Sequence, residues 1–173
     1  MPNAAQLLRQ DHKKVEDLFK KFEQAEGSEA KKRIAEQAMT ELEVHAKIEE
    51  EIFYPAVKSK VGDEELVDEA QQEHQTVRDL IRELKTMDGG GEEFEAKFSE
   101  LIENVKHHVE EEESEMLPKA EESEMDLSEF GEQMAERKDE LKEEAGSNGP
   151  ASQSKSGRES KSARRSSSSK RAR

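Results

Sequence analysis

The chain has 173 residues, enough for one domain with a modest core and a tail, and its composition is 31% apolar and 41% charged, with one Tyr and no Trp. It contains no Cys, which excludes disulfides, thiolate metal sites, iron–sulfur clusters and cysteine nucleophiles, so any bound metal must be held by His and carboxylate. The formal charge of −15 is unevenly shared: residues 150–173 carry +7 and residues 1–149 carry −22.

Glu, Lys, Ala, Leu and Gln dominate while β-branched and aromatic residues are scarce, so an all-α protein is predicted. Pro2 and Asn3 start a first helix over roughly residues 3–26, with an apolar stripe at Leu8, Val15, Phe19 and Phe22 that Gly27 interrupts. Ser28 is read as the cap of a second helix, whose stripe runs through Ile34, Ala38, Leu42, Ile48 and Ile52 to Val57, with a bend at Pro55 and an end near Gly62. Asp63 caps a third helix with stripe Val67, Ala70, Val77, Ile81 and Leu84, closed by Gly89-Gly90-Gly91. A fourth stripe, Phe94, Phe98, Leu101, Val105, Val109, Met116 and Leu117, reaches Pro118.

Short connections between four amphipathic helices predict an up-down-up-down four-helix bundle over residues 1–122. Leu127, Phe130, Met134 and Leu141 mark a short fifth, accessory helix within residues 123–145, packed on the outside of the bundle. Residues 146–173, rich in Ser, Lys and Arg, bury too little apolar surface to offset ordering and are read as a disordered basic tail. The N-terminus lacks the basic flank and apolar run of a signal peptide, and no stretch approaches the ~20 apolar residues that cross a bilayer. A cytoplasmic location without membrane contact is the resulting expectation.

All five histidines fall within the four predicted bundle helices, at least one in each. His12, His45, His74 and His108 lie on the apolar stripes of the four helices in turn, so four imidazoles point at one core. His45 and His108 each carry a Glu four residues on, Glu49 and Glu112, one turn away on the same face. Depth agrees as well: His12 and His45 lie 15 and 18 residues from Gly27, and His74 and His108 lie 16 and 18 from Gly90. At ~1.5 Å per residue, all four can share one layer.

The chain also repeats itself. Asp11-His12-Lys13-Lys14-Val15-Glu16-Asp17-Leu18 matches Glu73-His74-Gln75-Thr76-Val77-Arg78-Asp79-Leu80 at His, Val, Asp and Leu, 62 residues later. His45 through Glu50, closing at Pro55, matches His108 through Glu113, closing at Pro118, at an offset of 63. Such a duplication predicts two equivalent metal positions, each with two histidines, bridged by Glu49 and Glu112. Imidazole and carboxylate suit iron, manganese or zinc. His107 competes with His108 for the inward position, and the alignment with His45 and Pro55 favours His108. Glu16, Glu50, Glu111 and Glu113 are candidates to orient ligand imidazoles but are left unassigned, since most Glu runs are solvated faces, and Tyr54, half a turn off the His45 face unless the bend at Pro55 redirects it, is read as core packing.

These motifs resemble the hemerythrin family, specifically its His-His-Glu cation-binding domains, over about residues 3–122. The resemblance implies a non-haem centre of two iron ions held by His12, His45, Glu49, His74, His108 and Glu112. It also implies a protein that binds or senses oxygen, peroxide or nitric oxide, or handles iron. Removal of peroxide in a catalase-like reaction is the alternative. Oxygen-carrying hemerythrins would place a further His four residues after His74, where this chain has Arg78, which argues against reversible oxygen carriage. The eight Lys and Arg of the tail, Lys155, Arg158, Lys161, Arg164, Arg165, Lys170, Arg171 and Arg173, suit weak, salt-sensitive contact with nucleic acid. An equal reading is a solubilising tail over the acidic body.

Overall fold

The computed structural model describes residues 1–89 and 91–147, and the described residues are helical with short connections. In chain order the helices are α1 (Ala4–Gln24), α2 (Ser28–Ile48), α3 (Tyr54–Lys60), α4 (Glu64–Thr86), α5 (Glu92–Glu111), α6 (Leu117–Glu122) and α7 (Leu127–Ser147). Two π-helical turns, Glu49–Phe53 and Glu112–Met116, join α2 to α3 and α5 to α6, so each pair is one continuous rod. Helices α1, α2–α3, α4 and α5–α6 form the four-helix bundle, with α1 against α2 and α4 against α5. None of the described helices is long and apolar enough to cross a membrane.

Local chemistry sets the helix ends. The Asn3 side chain accepts from Gln6 N at 2.9 Å while Asn3 N donates to Gln6 Oε1 at 3.1 Å, a reciprocal cap that fixes the start of α1. Asp63 caps α4 by accepting from Leu66 N at 3.1 Å. The second helix departs from expectation: Gly27, at φ 88°, occupies the cap position and Ser28 is already helical, with no side-chain cap. A left-handed backbone at that corner is available to glycine at little cost.

The bend expected at Pro55 is instead a widening of the helix before it. Proline has no N–H for the carbonyl four residues back. The chain answers with an extra residue per turn, and Tyr54 N donates to Glu49 O, five residues back. The same device precedes Pro118, where Leu117 N donates to Glu112 O. Both wide turns begin at the glutamates that the repeat pairs, and π-bulges of this kind concentrate at functional sites.

The apolar interior is divided in two. One cluster, including Leu8, Ile48, Phe53, Val57, Val67, Met116 and Leu117, fills the end of the bundle near the chain start. The other, including Phe19, Phe22, Leu42, Ile81, Phe94, Phe98 and Leu101, fills the opposite end, where Phe22 and Phe98 lie 4.3 Å apart between ring centroids. Between them lie the buried polar residues found among the described ones: Asp11, His12, His45, Glu49, His74, His108 and Glu112.

Helix α7 crosses α1 and α2, burying Met134 and Leu141 in the first cluster. It passes so close to the start of α1 that a Cβ on Gly131 would stand 2.6 Å from Pro2 O. It also extends to Ser147, past the point where the sequence reading begins the tail. The rest of that tail, from residue 148 on, lies outside the described residues.

Candidate metal centre

Each of the six singled-out residues is buried, and their donor atoms converge. His12, His45, Glu49 and Glu112 form one group and Glu49, His74 and His108 a second, the donor atoms within each lying no more than 4.8 Å apart. Glu49 belongs to both: its Oε1 is 3.0 Å from His45 Nε2 and its Oε2 is 3.0 Å from His74 Nε2. Glu112 sits opposite, with Oε2 3.1 Å from His12 Nε2 and 3.8 Å from His108 Nε2. His107, two-thirds exposed, faces outward beside Glu73 and Glu111, leaving His108 as the inward residue.

The chemistry of these atoms fits a metal better than it fits a hydrogen-bonded core. His12 Nε2, His45 Nε2, Glu49 Oε1 and both Glu112 oxygens are buried without an aligned hydrogen bond, although they approach one another closely. A buried polar atom left unpaired costs about 1–3 kcal/mol. At a metal–ligand bond of ~2.1 Å, neighbouring donors around one ion lie ~3.0 Å apart. The observed separations cluster at that value.

The far side of each imidazole is also held. His12 Nδ1 lies 2.8 Å from Glu113 Oε1, His45 Nδ1 3.5 Å from Asp11 Oδ2, His74 Nδ1 2.8 Å from Glu50 Oε1, and His108 Nδ1 2.7 Å from Glu73 Oε2. A carboxylate at Nδ1 keeps the proton there and aims the Nε2 lone pair inward. These four carboxylates obey the internal repeat, Asp11 matching Glu73 and Glu50 matching Glu113. Sequence reasoning passed over Asp11 and Glu73 and left Glu50 and Glu113 unassigned. The signal lay in the repeat, where an acid precedes His12 and His74 alike.

Cations fasten two of these acids. Arg78 donates to both oxygens of Glu50, at 3.0 and 2.5 Å. The residue that stands where a carrier would have histidine thus braces His74 from behind. From α7, Lys138 donates to Asp11 Oδ1, behind His45.

Tyr54 corrects the sequence reading. Its hydroxyl is fully buried in the polar layer, donating to Glu49 Oε2 at 3.3 Å and lying 3.1 Å from His74 Nε2. Counted at an ideal helical pitch it should point elsewhere, but the extra residue in the Glu49–Phe53 turn sets it back toward the His45 face.

Electrostatics follows from this packing. Burial alone would push the His45 imidazolium down, but attraction to Glu49 and the nearby Asp11 carboxylate lifts it to about 10. For His74, burial is likewise outweighed by hydrogen bonds to Glu49 and Glu50, and the value rises to about 9. Burial would raise the Glu49 carboxyl, yet His45 and His74 hold it well below the usual carboxylate range. Burial and the charges of Glu112 and Glu49 push the Tyr54 phenol well above its ordinary value, so it keeps its proton and donates. Protons therefore stand in for a cation among these groups in the metal-free chain.

A helical bundle whose inward His and carboxylate side chains meet in one layer is an architecture that builds metal sites between facing helices. The model of the hemerythrin HHE cation binding domain matches residues 3–120, and the chain belongs to that family. Its fold is similar to the crystal structure of a hemerythrin HHE cation-binding domain-containing protein from Mycobacterium kansasii, with a TM-score of 0.73 and 28% identity over 84% of this chain and 90% of that one. It is 26% identical over 120 residues to an uncharacterized hemerythrin-like protein of Schizosaccharomyces pombe, covering 68% of this chain and 59% of the relative. It is 31% identical over 115 residues to a DNA nickase of Nostoc sp., covering 65% of this chain and 32% of the nickase. The chain thus matches about a third of one curated relative's length and under two thirds of the other's.

Proposed function

We propose that the chain is a non-haem iron protein that holds two ions through His12, His45, Glu49, His74, His108 and Glu112 and engages a small oxidant or gas such as oxygen, peroxide or nitric oxide. The observation that supports this reading is the pair of buried carboxylates set among four imidazole nitrogens, with metal-like spacings and few aligned hydrogen bonds. Bound iron supplies one-electron redox chemistry and open coordination positions. In this reading His12, His45, Glu49 and Glu112 would hold one ion and Glu49, His74 and His108 the other, while Asp11, Glu50, Glu73 and Glu113 keep the imidazole protons on the far side of each ring. Tyr54 holds a phenolic proton at the edge of the centre, where its hydroxyl donates to Glu49 Oε2. The two apolar clusters flank the centre at opposite ends of the bundle.

Metal analysis followed by anaerobic titration of the ferrous chain tests the reading. Two irons per chain and an absorption change with peroxide or oxygen are expected. An iron-free chain, or a loaded chain silent to all three ligands, would sink it. Repeated turnover of peroxide, rather than a stoichiometric change, would favour the catalase-like alternative.

A second reading rests on the +7 segment of residues 150–173 together with the nickase relative. In it the basic segment neutralises phosphates and brings the bundle to nucleic acid. A gel-shift series at rising salt, with the full chain and with the chain ending at residue 145, decides it. Binding that is independent of the segment or of salt would count against it.

A further inference from the structure

A cavity of about 580 Å³ opens between α1 and α5 and runs down to the candidate centre. Its floor includes His12, His45, His74 and His108, and its walls include Val15, Phe19, Leu42, Val77 and Val105. These wall residues are buried members of the second apolar cluster, so part of the wall is packed hydrocarbon. Charged residues, among them Lys13, Lys106 and Glu110, also line it.

The volume exceeds what a diatomic molecule fills. At roughly 30 Å³ for a water-sized group, it has room for about nineteen such groups, and it falls within the range of ~300–1,000 Å³ typical of organic ligand sites. Water gains little from apolar walls, whereas an alkyl chain laid along them is driven there by the burial of its surface. The floor asks for the opposite chemistry, an oxygen function able to meet a metal.

We infer that this site takes a linear aliphatic molecule with an oxygen head, carboxylate or hydroperoxide, the head on the histidine floor and the chain along Val15, Phe19, Leu42 and Val105. The inference rests on the proposed metal centre for its head group and on the cavity walls for its chain. It adds amphiphilic oxygen ligands to the small molecules of the proposed function.

The test uses the full chain loaded with zinc, which holds imidazole and carboxylate sites without redox chemistry, with metal content measured beforehand. Linear carboxylates from acetate to decanoate are titrated by calorimetry. Affinity is expected to rise about fourfold per methylene until the cavity is filled and then to level off. Equal affinity along the series overturns the inference. Val105→Phe, which narrows the wall, should lower octanoate affinity roughly tenfold while leaving acetate unchanged, since about two methylenes' worth of burial is lost. Val109→Phe, at a half-buried position lining the same cavity, replaces it should the first variant fail to fold. Octyl hydroperoxide should displace octanoate where hydrogen peroxide at equal concentration does not, and the stronger of the two octyl ligands identifies the native head. Displacement by hydrogen peroxide as readily as by octyl hydroperoxide also overturns it. A chain that binds no metal yet keeps the length series refutes the metal reading and leaves the cavity assignment standing; a loaded chain without the series does the reverse.

Discussion

Among the six side chains of the proposed centre, Glu49 is the most consequential because it reaches His45 and His74 at once. Glu49→Gln keeps the shape but loses the charge that offsets a cation. It should leave about one metal or fewer per chain by elemental analysis, while circular dichroism stays helical. Tyr54→Phe removes a donor, not a counter-charge. It should preserve metal content and change the spectrum and lifetime of the peroxide-treated ferrous chain; identical spectra would remove Tyr54 from the proposed chemistry. The histidines and glutamates were legible in the sequence because they sit on apolar stripes and recur at a fixed offset. Asp11 and Glu73 were not, because each orients a histidine on another helix, across 34 and 35 residues respectively. Tyr54 was misread because a period of 3.6 cannot register a π-helical turn.

At the scale of elements, α7 is more than a cover. Met134 and Leu141 anchor it, Gly131 lets it approach α1, and Lys138 then reaches Asp11 across 127 residues of sequence. Replacing Lys138 with Met leaves the buried Asp11 carboxylate without its cation. Chemical denaturation should record a loss of about 1–3 kcal/mol. His45 should also lose its fixed orientation, seen as a broadened imidazole signal by NMR. An unchanged midpoint and spectrum would show that the contact matters to neither. The stripe Leu127, Phe130, Met134 and Leu141 announced the helix, and the cap of α1 and the Gly-rich connection after α4 were equally plain. What α7 does was hidden, because the partner of Lys138 is defined only by the fold.

For the whole molecule, a polar layer between two apolar clusters couples metal, protons and stability. His45 and His74 have folded-state values raised above 6.5, to about 10 and about 9. Raised values stabilise the metal-free fold fully below pH ~6.5, and that contribution disappears as pH climbs through ~9 and ~10. Thermal melts of the metal-free chain should therefore fall in midpoint across this alkaline window. In the proposed centre metal would take the place of those protons, so loading at neutral pH should release protons, seen as buffer-dependent calorimetric heats, and affinity should increase with pH. The loaded chain should melt higher, by about 4 kcal/mol of added stability when free metal exceeds its dissociation constant ~1,000-fold.

Counting iron in the purified, anaerobically reconstituted chain beside its His74→Ala variant tests the central claim most directly. Two irons per chain, falling to about one in the variant, is the outcome predicted for two positions that share Glu49. A single iron in the parent chain, or two that persist undiminished without His74, would contradict it.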